Sequence, residues 1–351
     1  MNDSMPRLSV LDQAPISAGS TGSEALHNSL DLARLADWLG YHRYWVAEHH
    51  GTPMLASASP EALIGPIAVA TTRMRVGSGG VMLPHYSPLK VAETFSVLAG
   101  LFPGRIDLAV GRAAGTDPTT TFALQRDRRQ GAPDDFTDQL AELLAYLEGT
   151  LPRDHPFARL TALPGRPARP DPWLLGSSPQ SGLWAAELGL PYAFADFINP
   201  RGAEVARRYR EGFTPSRLRS RPEIVVAVWA VCAETDAEAE RVASSTDMAF
   251  ALLQRGKLIP VPPVEEAIRF AREERTAQPA PGRERRRIVG SPATVREGLE
   301  AAAREYGADE VMVVTITYDH AVRRRSYELI AEAFGLPAGY ATSSALAGEG
   351  G

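Results

Sequence analysis

The stretch Ile-Val-Val-Ala-Val-Trp-Ala-Val at residues 224–231 is apolar without interruption, and a helical pattern over Ala237–Gln254 follows it. A strand that alternates apolar and polar residues buries one face, whereas an unbroken apolar strand needs cover on both faces. Helices packed on both sides of a parallel sheet provide that cover. The stretch therefore predicts a buried parallel strand in an α/β protein.

The same order of strand and then helix recurs along the rest of the chain. The other predicted strands are Leu8–Leu11, Tyr44–Ala47, Met74–Gly77, Ile106–Val110, Trp173–Leu175, Tyr192–Ala195 and Val311–Ile316, and each precedes a helical pattern. An open doubly wound sheet rarely contains eight regularly alternating units, whereas a closed barrel is built from them. We therefore expect a single (β/α)8 TIM-barrel domain over residues 1–340.

Three segments fall outside this alternation. Residues 151–171 are rich in proline and arginine, which predicts an irregular surface insertion. Residues 255–288 contain further prolines, a helical stretch near Val264–Glu274 and several arginines, and they form a candidate mobile lid before the last strand. The small, polar and glycine-rich residues 341–351 predict a disordered tail.

The composition is that of a globular protein, with 44% hydrophobic and 23% charged residues among 351. A net charge of −5 argues against general affinity for nucleic acids or anionic membranes. Cys232 is the only cysteine, which excludes disulfides and cysteine-rich metal sites within the chain and suits a reducing compartment. Because residues 1–7 carry no export signal and no stretch reads as a membrane span, we expect a cytoplasmic protein.

TIM barrels place their chemistry at the carboxyl ends of the strands, and Glu48, His49 and His50 follow the second predicted strand. Neighbouring residues of an extended strand point to opposite faces, so these three do not converge on one ion and we expect no metal site. His49 could instead exchange protons near neutral pH. The alternative is a histidine that only forms a structural hydrogen bond at the strand end.

Two further strand ends are candidates for binding a ligand. The run Gly-Ser-Gly-Gly at residues 77–80 either lets a planar ligand lie against the main chain or forms a tight turn. The run Gly-Ser-Ser-Pro-Gln-Ser at residues 176–181 places serines at a helix start, where they either bind an anion such as a phosphate or cap the helix. Arg112 follows the neighbouring strand and would add a positive charge, so we predict a phosphorylated ligand.

Several strings of this chain resemble the bacterial luciferase-like flavin monooxygenase family. They are GYHRYWVAEHH at 40–50, RVGSGGVMLP at 75–84, PLKVAE at 88–93, PGRIDL at 103–108, GSSPQS at 176–181 and GSPATV at 290–295. The resemblance spans about residues 8–335, in order. It implies a TIM barrel that uses reduced FMN, supplied by a separate NAD(P)H-dependent flavin reductase. It also implies addition of dioxygen to the flavin, giving a C4a-hydroperoxide that oxygenates a small organic substrate, in some relatives in secondary metabolism.

The resemblance also implies roles for individual residues. His49 matches the active-site histidine that assists proton transfer, and Gly79 and Gly80 match a pair joined by a cis peptide bond beside the flavin ring. The region that binds the FMN phosphate matches Arg112, Ser177, Ser178 and Ser181. Members of the family commonly dimerise, so a homodimer is one oligomeric state that the resemblance allows.

The chain departs from the light-emitting luciferases at two positions. Gly111 stands where they carry a cysteine, and Ser177 stands where they carry a glutamate. Bioluminescence is therefore not implied.

Three other functions compete with the flavin monooxygenase. A deazaflavin (F420)-dependent oxidoreductase shares the superfamily but transfers hydride, and a flavin-binding protein without catalysis could use the same barrel. A metal-dependent hydrolase would need ligands such as His49, His50 and His320, and no metal motif accompanies them on the first strand.

Overall fold

The predicted strands form a closed parallel barrel in the computed structural model. The structure describes residues 5–113, 116–125, 128–129, 134–165, 168–276 and 286–339. The predicted tail at 341–351 and residues 277–285 of the candidate lid lie outside the described residues.

Eight strands close the barrel and a ninth lies outside it. The described strands are β1 (Arg7–Asp12), β2 (Arg43–Val46), β3 (Arg75–Met82), β4 (Ile106–Gly111), β5 (Asp171–Gly176), β6 (Tyr192–Ala195), β7 (Ile224–Cys232), β8 (Ile288–Gly290) and β9 (Glu310–Val314). Their hydrogen-bonded order is β6-β5-β4-β3-β2-β1-β9-β7, and β6 pairs with β7 to complete the circle. β8 pairs with β7 as an extra strand. The predicted (β/α)8 TIM barrel is confirmed.

Helices surround the barrel. The described helices are α1 (Gly22–Leu39), α2 (Pro60–Ala70), α3 (Pro88–Leu101), α4 (Pro118–Leu124), α5 (Phe136–Glu148), α6 (Pro179–Glu187), α7 (Ala203–Glu211), α8 (Asp236–Gln254), α9 (Val264–Thr276), α10 (Pro292–Tyr306) and α11 (His320–Phe334), with a 3-10 turn at Leu83–His85. None of the helices that the structure describes combines the length and apolar character needed to cross a membrane.

Local sequence signals explain where these elements begin and end. At the start of α1, the Thr21 side-chain oxygen accepts from the Glu24 N–H, and the Glu24 carboxylate accepts from the Thr21 N–H. This reciprocal capping satisfies two donors that a helix start otherwise leaves without partners. Gly40 ends the helix with φ at 90°, a left-handed conformation that glycine adopts without a steric penalty.

The segment between β7 and β9 is more regular than the sequence interpretation expected. Helix α9 confirms the predicted helical stretch near Val264–Glu274, but β8 and α10 were not predicted. A three-residue strand gives too short a pattern to recognise. Helix α10 did carry a signal, because Pro292 occupies its first turn and Val295, Leu299 and Tyr306 are buried at helical spacing.

The described ends of the candidate lid are attached to the rest of the molecule. Val261 is fully buried, and its main chain pairs with Ile16 and Ala18 at 2.8 Å each. After residues 277–285, Arg287 pairs with Glu240, and 2.7 Å separates Arg287 Nη2 from Glu240 Oε2. Closure of residues 255–288 over the barrel stays a prediction. The described residues from 151 up to the start of β5 contain no helix or strand, as expected for an irregular insertion.

Aromatic side chains fill the middle of the barrel. Trp45 on β2 and Trp173 on β5 are almost completely buried, and their rings meet edge to face with centroids 5.5 Å apart. Arg43 lies on the same face of β2 as Trp45, one step nearer the amino end of the barrel. Its guanidinium carbon lies 4.7 Å from the centroid of the Trp173 ring. The two tryptophans therefore separate the two ends of the barrel.

An ionic layer lies beneath the tryptophans, and we call Arg43, Asp107 and Glu310 the barrel floor. Arg43 Nε lies 2.7 Å from Glu310 Oε1 on β9, and Arg43 Nη1 lies 2.9 Å from Asp107 Oδ2 on β4. The indole Nε1 of Trp45 donates to the same Asp107 oxygen at 2.8 Å. Burial raises the pKa of Asp107, but the guanidiniums of Arg43 and Arg75 outweigh it and lower the pKa overall. The carboxylate is therefore charged and paired.

We predict that Arg43→Ala lowers the free energy of unfolding by about 3–5 kcal/mol, because it leaves two buried carboxylates without their common cation. Urea unfolding followed by circular dichroism measures the change. The matched control is Arg207→Ala, which removes an exposed arginine paired with Glu204 and Glu211 on one helix and should leave the unfolding midpoint nearly unchanged. Equal midpoints for the two variants would contradict a stabilising role of the barrel floor.

Candidate functional site

The predicted site residues come together at one end of the barrel. The barrel strands are parallel, so their carboxyl ends share one face, which we call the mouth. His49 follows β2, Gly79 and Gly80 lie near the end of β3, Arg112 follows β4 and Ser177 follows β5. These four strands are consecutive neighbours in the sheet. The mouth at β2–β5 therefore collects residues that are separated by more than 120 positions along the chain.

His49 presents an unpartnered nitrogen inside the mouth region. Its main-chain N–H donates to the Ser57 carbonyl at 3.0 Å, which holds the strand end in place. The ring is partly exposed, but its Nδ1 is buried and has no hydrogen-bond partner among the described residues. Burial and the neighbouring charge of His50 lower the pKa of His49 to about 4. At neutral pH the ring is therefore an uncharged imidazole.

Glu48 fastens the end of β2 to the end of β3. Its side chain is completely buried, and Oε2 accepts the main-chain N–H of Met82 at 3.0 Å. Its Oε1 lies 3.0 Å from the Tyr86 hydroxyl and 2.7 Å from His50 Nε2. Sequence reasoning placed Glu48 at the mouth but missed Tyr86, whose aromatic ring is contributed by the turn after β3.

The main chain at Gly79 and Gly80 forms a wall without side chains. The peptide bond between them is cis, in agreement with the resemblance. A Cβ on Gly79 would lie 2.6 Å from Leu11 Cδ1 and 2.9 Å from Trp45 Cβ. A Cβ on Gly80 would lie 2.6 Å from the Ala109 carbonyl oxygen and would also collide with Leu175. These neighbours leave no space for a side chain at either position, so only glycine fits there.

Arg112 stands exposed after β4, next to the helix that follows β5. Its guanidinium carbon lies 5.4 Å from the centroid of the Trp184 ring, which belongs to α6. A guanidinium over an aromatic face is held in place while its N–H groups remain available to an anion. Arg112 therefore lies against α6, the helix that begins at Pro179, while its proximity to the serines of residues 176–181 stays a prediction.

The three predicted serines occupy different environments at the start of α6. Ser178 caps the helix, with its side chain accepting from the Ser181 N–H. Ser181 Oγ donates to the Ser178 carbonyl at 2.8 Å and lies 2.8 Å from the Tyr192 hydroxyl. The hydroxyl of Ser181 is thus engaged within the protein, whereas Ser177 and Ser178 are only partly buried at the helix start. Phosphate binding by these serines stays a prediction.

A second buried ion pair shapes the mouth at the end of β1. Asp12 Oδ1 accepts from Arg323 Nη2 of α11 at 2.7 Å and from the Ala14 N–H at 2.8 Å. The Tyr44 hydroxyl donates to the other carboxylate oxygen at 2.5 Å. Burial raises the pKa of Asp12, but the charge of Arg323 helps to lower it overall. An aspartate ending an apolar strand signals a buried cation, although sequence reasoning did not find which arginine supplies it.

The residues of the competing hydrolase do not assemble into a metal site in the described part of the chain. His50 Nε2 is bonded to Glu48, and His320 Nε2 lies 2.8 Å from Asp31 on α1. Among the described residues, no group of three or more histidine, cysteine, aspartate or glutamate side chains is arranged to hold a metal ion.

Comparison with known proteins decides the family. A model of the family described as luciferase-like monooxygenase matches residues 5–310. The chain belongs to the luciferase-like monooxygenase family. An N-acetyl-S-alkylcysteine monooxygenase of Bacillus subtilis (strain 168) is 35% identical to this luciferase-like monooxygenase over 331 residues, which cover 94% of this chain and 98% of the relative.

Solved structures extend the comparison. The crystal structure of apo-MsnO8 is 42% identical to this luciferase-like monooxygenase, with a TM-score of 0.85 and coverage of 95% of this chain and 98% of that chain. The oxygenating constituent of 3,6-diketocamphane monooxygenase from Pseudomonas putida, solved in complex with FMN, is 20% identical, with a TM-score of 0.68 and coverage of 94% and 98%. At 20% identity, the similarity to this second structure shows a shared fold and nothing more.

We predict that Gly80→Ala destabilises this luciferase-like monooxygenase and reduces flavin binding, because the new Cβ meets the Ala109 carbonyl oxygen at 2.6 Å. Thermal melting with and without FMN measures both effects. Gly65→Ala is the matched control, since its Cβ would make an ordinary 3.8 Å contact with Leu98 and improves helix propensity within α2. If Gly80→Ala melted and bound FMN like Gly65→Ala, the close-packed wall would have no role.

Proposed function

We propose that this chain is the oxygenase component of a two-component flavin monooxygenase. In this proposal it takes reduced FMN from a separate NAD(P)H-dependent flavin reductase and oxygenates a small organic substrate. The observation that carries the proposal is the side-chain-free main chain at Gly79 and Gly80 of β3, at the same barrel mouth where His49, after the neighbouring β2, keeps a buried and unpartnered Nδ1. A planar ring system can lie against such a wall, and a polar edge of that ring can partner the imidazole.

The residues of the mouth fit FMN at both of its ends. Gly79 and Gly80 would support the ring system, and His49 would offer it a neutral imidazole. Arg112 and the N-terminus of α6 at Ser177 and Ser178 would hold the phosphate, because a guanidinium and free helix N–H groups both favour an anion. Reduced FMN, when bound, supplies the two electrons with which one oxygen atom of O2 enters the substrate and the other leaves as water.

The chain's own contribution is to shape and dry this space. The tryptophan pair and the barrel floor block entry from the amino end, so ligands enter and leave through the mouth. Because its pKa lies at about 4, His49 is a neutral imidazole at neutral pH. In this form it can accept a proton on one ring nitrogen or pass one on. Excluding water matters because water diverts activated oxygen to hydrogen peroxide instead of product.

Family membership supports monooxygenase chemistry, and the similarity to an N-acetyl-S-alkylcysteine monooxygenase suggests the first substrate class to test. The resemblance further supports a flavin reductase as partner and a homodimer as the assembly. The single cysteine, Cys232, suits a reducing compartment and supports a cytoplasmic location. These statements are part of the same proposal.

Turnover with reduced FMN tests the proposal. The protein is mixed with photoreduced FMN, isotopically heavy dioxygen and an N-acetyl-S-alkylcysteine, and mass spectrometry should find one heavy oxygen atom in the product. A wider panel of small thioethers, ketones and aromatic substrates follows if the first compound is inert. Product formation without oxygen, with reduced F420 in place of FMN, would instead support the hydride-transfer function. Binding of FMN with no product across the panel would support a flavin-binding protein.

We predict that Arg112→Ala weakens FMN binding by about 1.5–3 kcal/mol, because it removes a charged hydrogen-bond donor from the phosphate. Fluorescence titration of FMN measures the dissociation constant, and riboflavin, which lacks the phosphate, should lose no affinity. Arg112→Lys keeps the positive charge but lacks the planar guanidinium, so its FMN dissociation constant should lie between those of the wild type and Arg112→Ala. Equal affinities of the wild type and Arg112→Ala for FMN would remove Arg112 from the phosphate site.

We predict that His49→Ala retains FMN binding but forms less product and releases more hydrogen peroxide per flavin oxidised. The expected cause is the loss of an imidazole that would exchange a proton with the bound flavin. Product is measured by chromatography and peroxide by a peroxidase assay in the same reaction. Unchanged coupling of flavin oxidation to product would mean that His49 has no part in the chemistry.

A further inference from the structure

A group of titratable side chains lies beside His49 and has no role in the function proposed above. We call it the Glu48 cluster, and its members are Glu48, His50, Glu61, His85 and Tyr86. They come from the end of β2, the first turn of α2 and the turn after β3. The His50 and His85 rings meet edge to face with centroids 5.8 Å apart, and Glu48 bonds both His50 and Tyr86.

The contact between Glu48 and His50 determines which ring nitrogen of His50 carries a hydrogen. An ionised carboxylate can only accept hydrogen bonds, and the completely buried Glu48 carboxylate already accepts from the Met82 N–H and the Tyr86 hydroxyl. The nitrogen of His50 that lies 2.7 Å from Glu48 is Nε2, so Nε2 must be the donor. No hydrogen bond joins Nδ1 of His50 to another described residue. Nδ1 is therefore the nitrogen that can gain or lose a proton.

The two neighbouring histidines thus differ in their proton chemistry. His49 has no carboxylate partner in the described structure, and burial together with the charge of His50 keeps its ring neutral at neutral pH. His50 has a carboxylate partner and a side chain that is 12% exposed, so it can exchange protons with water. Its main chain is held as well, because the Thr116 hydroxyl donates to the His50 carbonyl at 2.7 Å.

We propose that Glu48 is a positioning residue that fixes His50 as the Nε2–H tautomer, so that Nδ1 of His50 exchanges protons with the mouth while His49 stays neutral. This assignment deepens the proposed function and rests on it. A proton released from Nδ1 to a group in the mouth is replaced from solvent. The Nε2 hydrogen stays on its bond to Glu48 throughout, so the ring alternates between imidazolium and neutral imidazole.

The other members of the cluster favour a charged Glu48 as the partner of His50. Tyr86 donates its hydroxyl to Glu48, and burial together with the nearby carboxylates of Glu48 and Glu61 raises the pKa of Tyr86, so it remains a protonated donor. Burial and the charge of Glu48 raise the pKa of Glu61. The His85 ring packs against the His50 ring in a T-shaped contact, with an angle of 89° between the two planes.

Nitrogen-15 NMR of histidine-labelled protein without flavin tests the assignment directly. Neutral His50, identified by the loss of its signals in His50→Gln, should show the pattern of the Nε2–H tautomer. Glu48→Ala should convert it to a mixture of the two tautomers. Tyr86→Phe, which removes a different donor from Glu48, should leave it unchanged. A neutral His50 in the Nδ1–H form, or a tautomer that does not change in Glu48→Ala while the protein remains folded, overturns the proposal.

The pH dependence of coupling provides the second readout. In the wild type, product formed per FMN oxidised should fall as pH rises, because the donor in this proposal is the proton on His50 Nδ1. In Glu48→Gln, loss of the carboxylate charge should move this fall to lower pH, and in His50→Gln the fall should disappear. If Glu48→Gln instead reduced coupling equally at every pH, Glu48 would have a purely structural role and the proposal would be refuted. If no substrate were oxygenated, the proposed function would fail while the NMR result would still decide the tautomer.

Discussion

The pairing of Arg43 with Glu310 and Asp107 is the constraint on which the usable space in this barrel depends. One guanidinium on β2 bonds carboxylates on β9 and β4, so three separate strands are held at fixed distances across the barrel interior. Trp45 and Trp173 meet edge to face above this layer, and Asp107 also accepts from the Trp45 indole. Removing the Arg43 cation would leave the buried carboxylates of Asp107 and Glu310 without their shared partner, which is strongly unfavourable. The amino end of the barrel is thereby closed.

The carboxyl end of the barrel is shaped by glycines, whereas large and charged side chains fill the barrel nearer its amino end. Glycine at positions 79 and 80 brings the main chain against Leu11, Trp45 and Ala109, where any side chain would collide. The Glu48 carboxylate then ties the strand that follows these glycines to β2 through the Met82 N–H. Above the ionic layer, the mouth therefore presents main chain without side chains at the end of β3, tied to the end of β2.

Family membership and the site carry different parts of the functional argument. The family match and a relative at 35% identity establish what kind of protein this is, whereas a TIM barrel by itself hosts many chemistries. The residues of the mouth give the proposal its chemical content. Neighbouring histidines at 49 and 50 look equivalent in the sequence, yet one lies beside a buried carboxylate and the other has a buried nitrogen without a partner. Position in the fold therefore separates two residues of the same type.

The sequence by itself determined the fold class and predicted where the candidate site lies. Unbroken apolar strands such as residues 224–231 require helices on both faces, and eight such units favour closure, so the barrel followed from local patterns. The candidates His49, Gly79, Gly80 and Arg112 could be found because functional residues of a parallel barrel follow its strands. Strand β8 was too short to give a pattern, and α10 was not predicted although Pro292 and the helical spacing of its apolar residues signalled it.

Only the tertiary structure decided which side chains meet. Arg323 reaches Asp12 and Arg43 reaches Glu310 across more than 260 positions, and no local pattern encodes a partner at that distance. The same holds for Ser181, whose hydroxyl the sequence offered to a ligand and the structure bonds to Tyr192. Periodicity reports which face of an element is buried, because burial repeats along the chain. The identity of the group buried opposite depends on how distant elements pack, and that is settled only when the barrel closes.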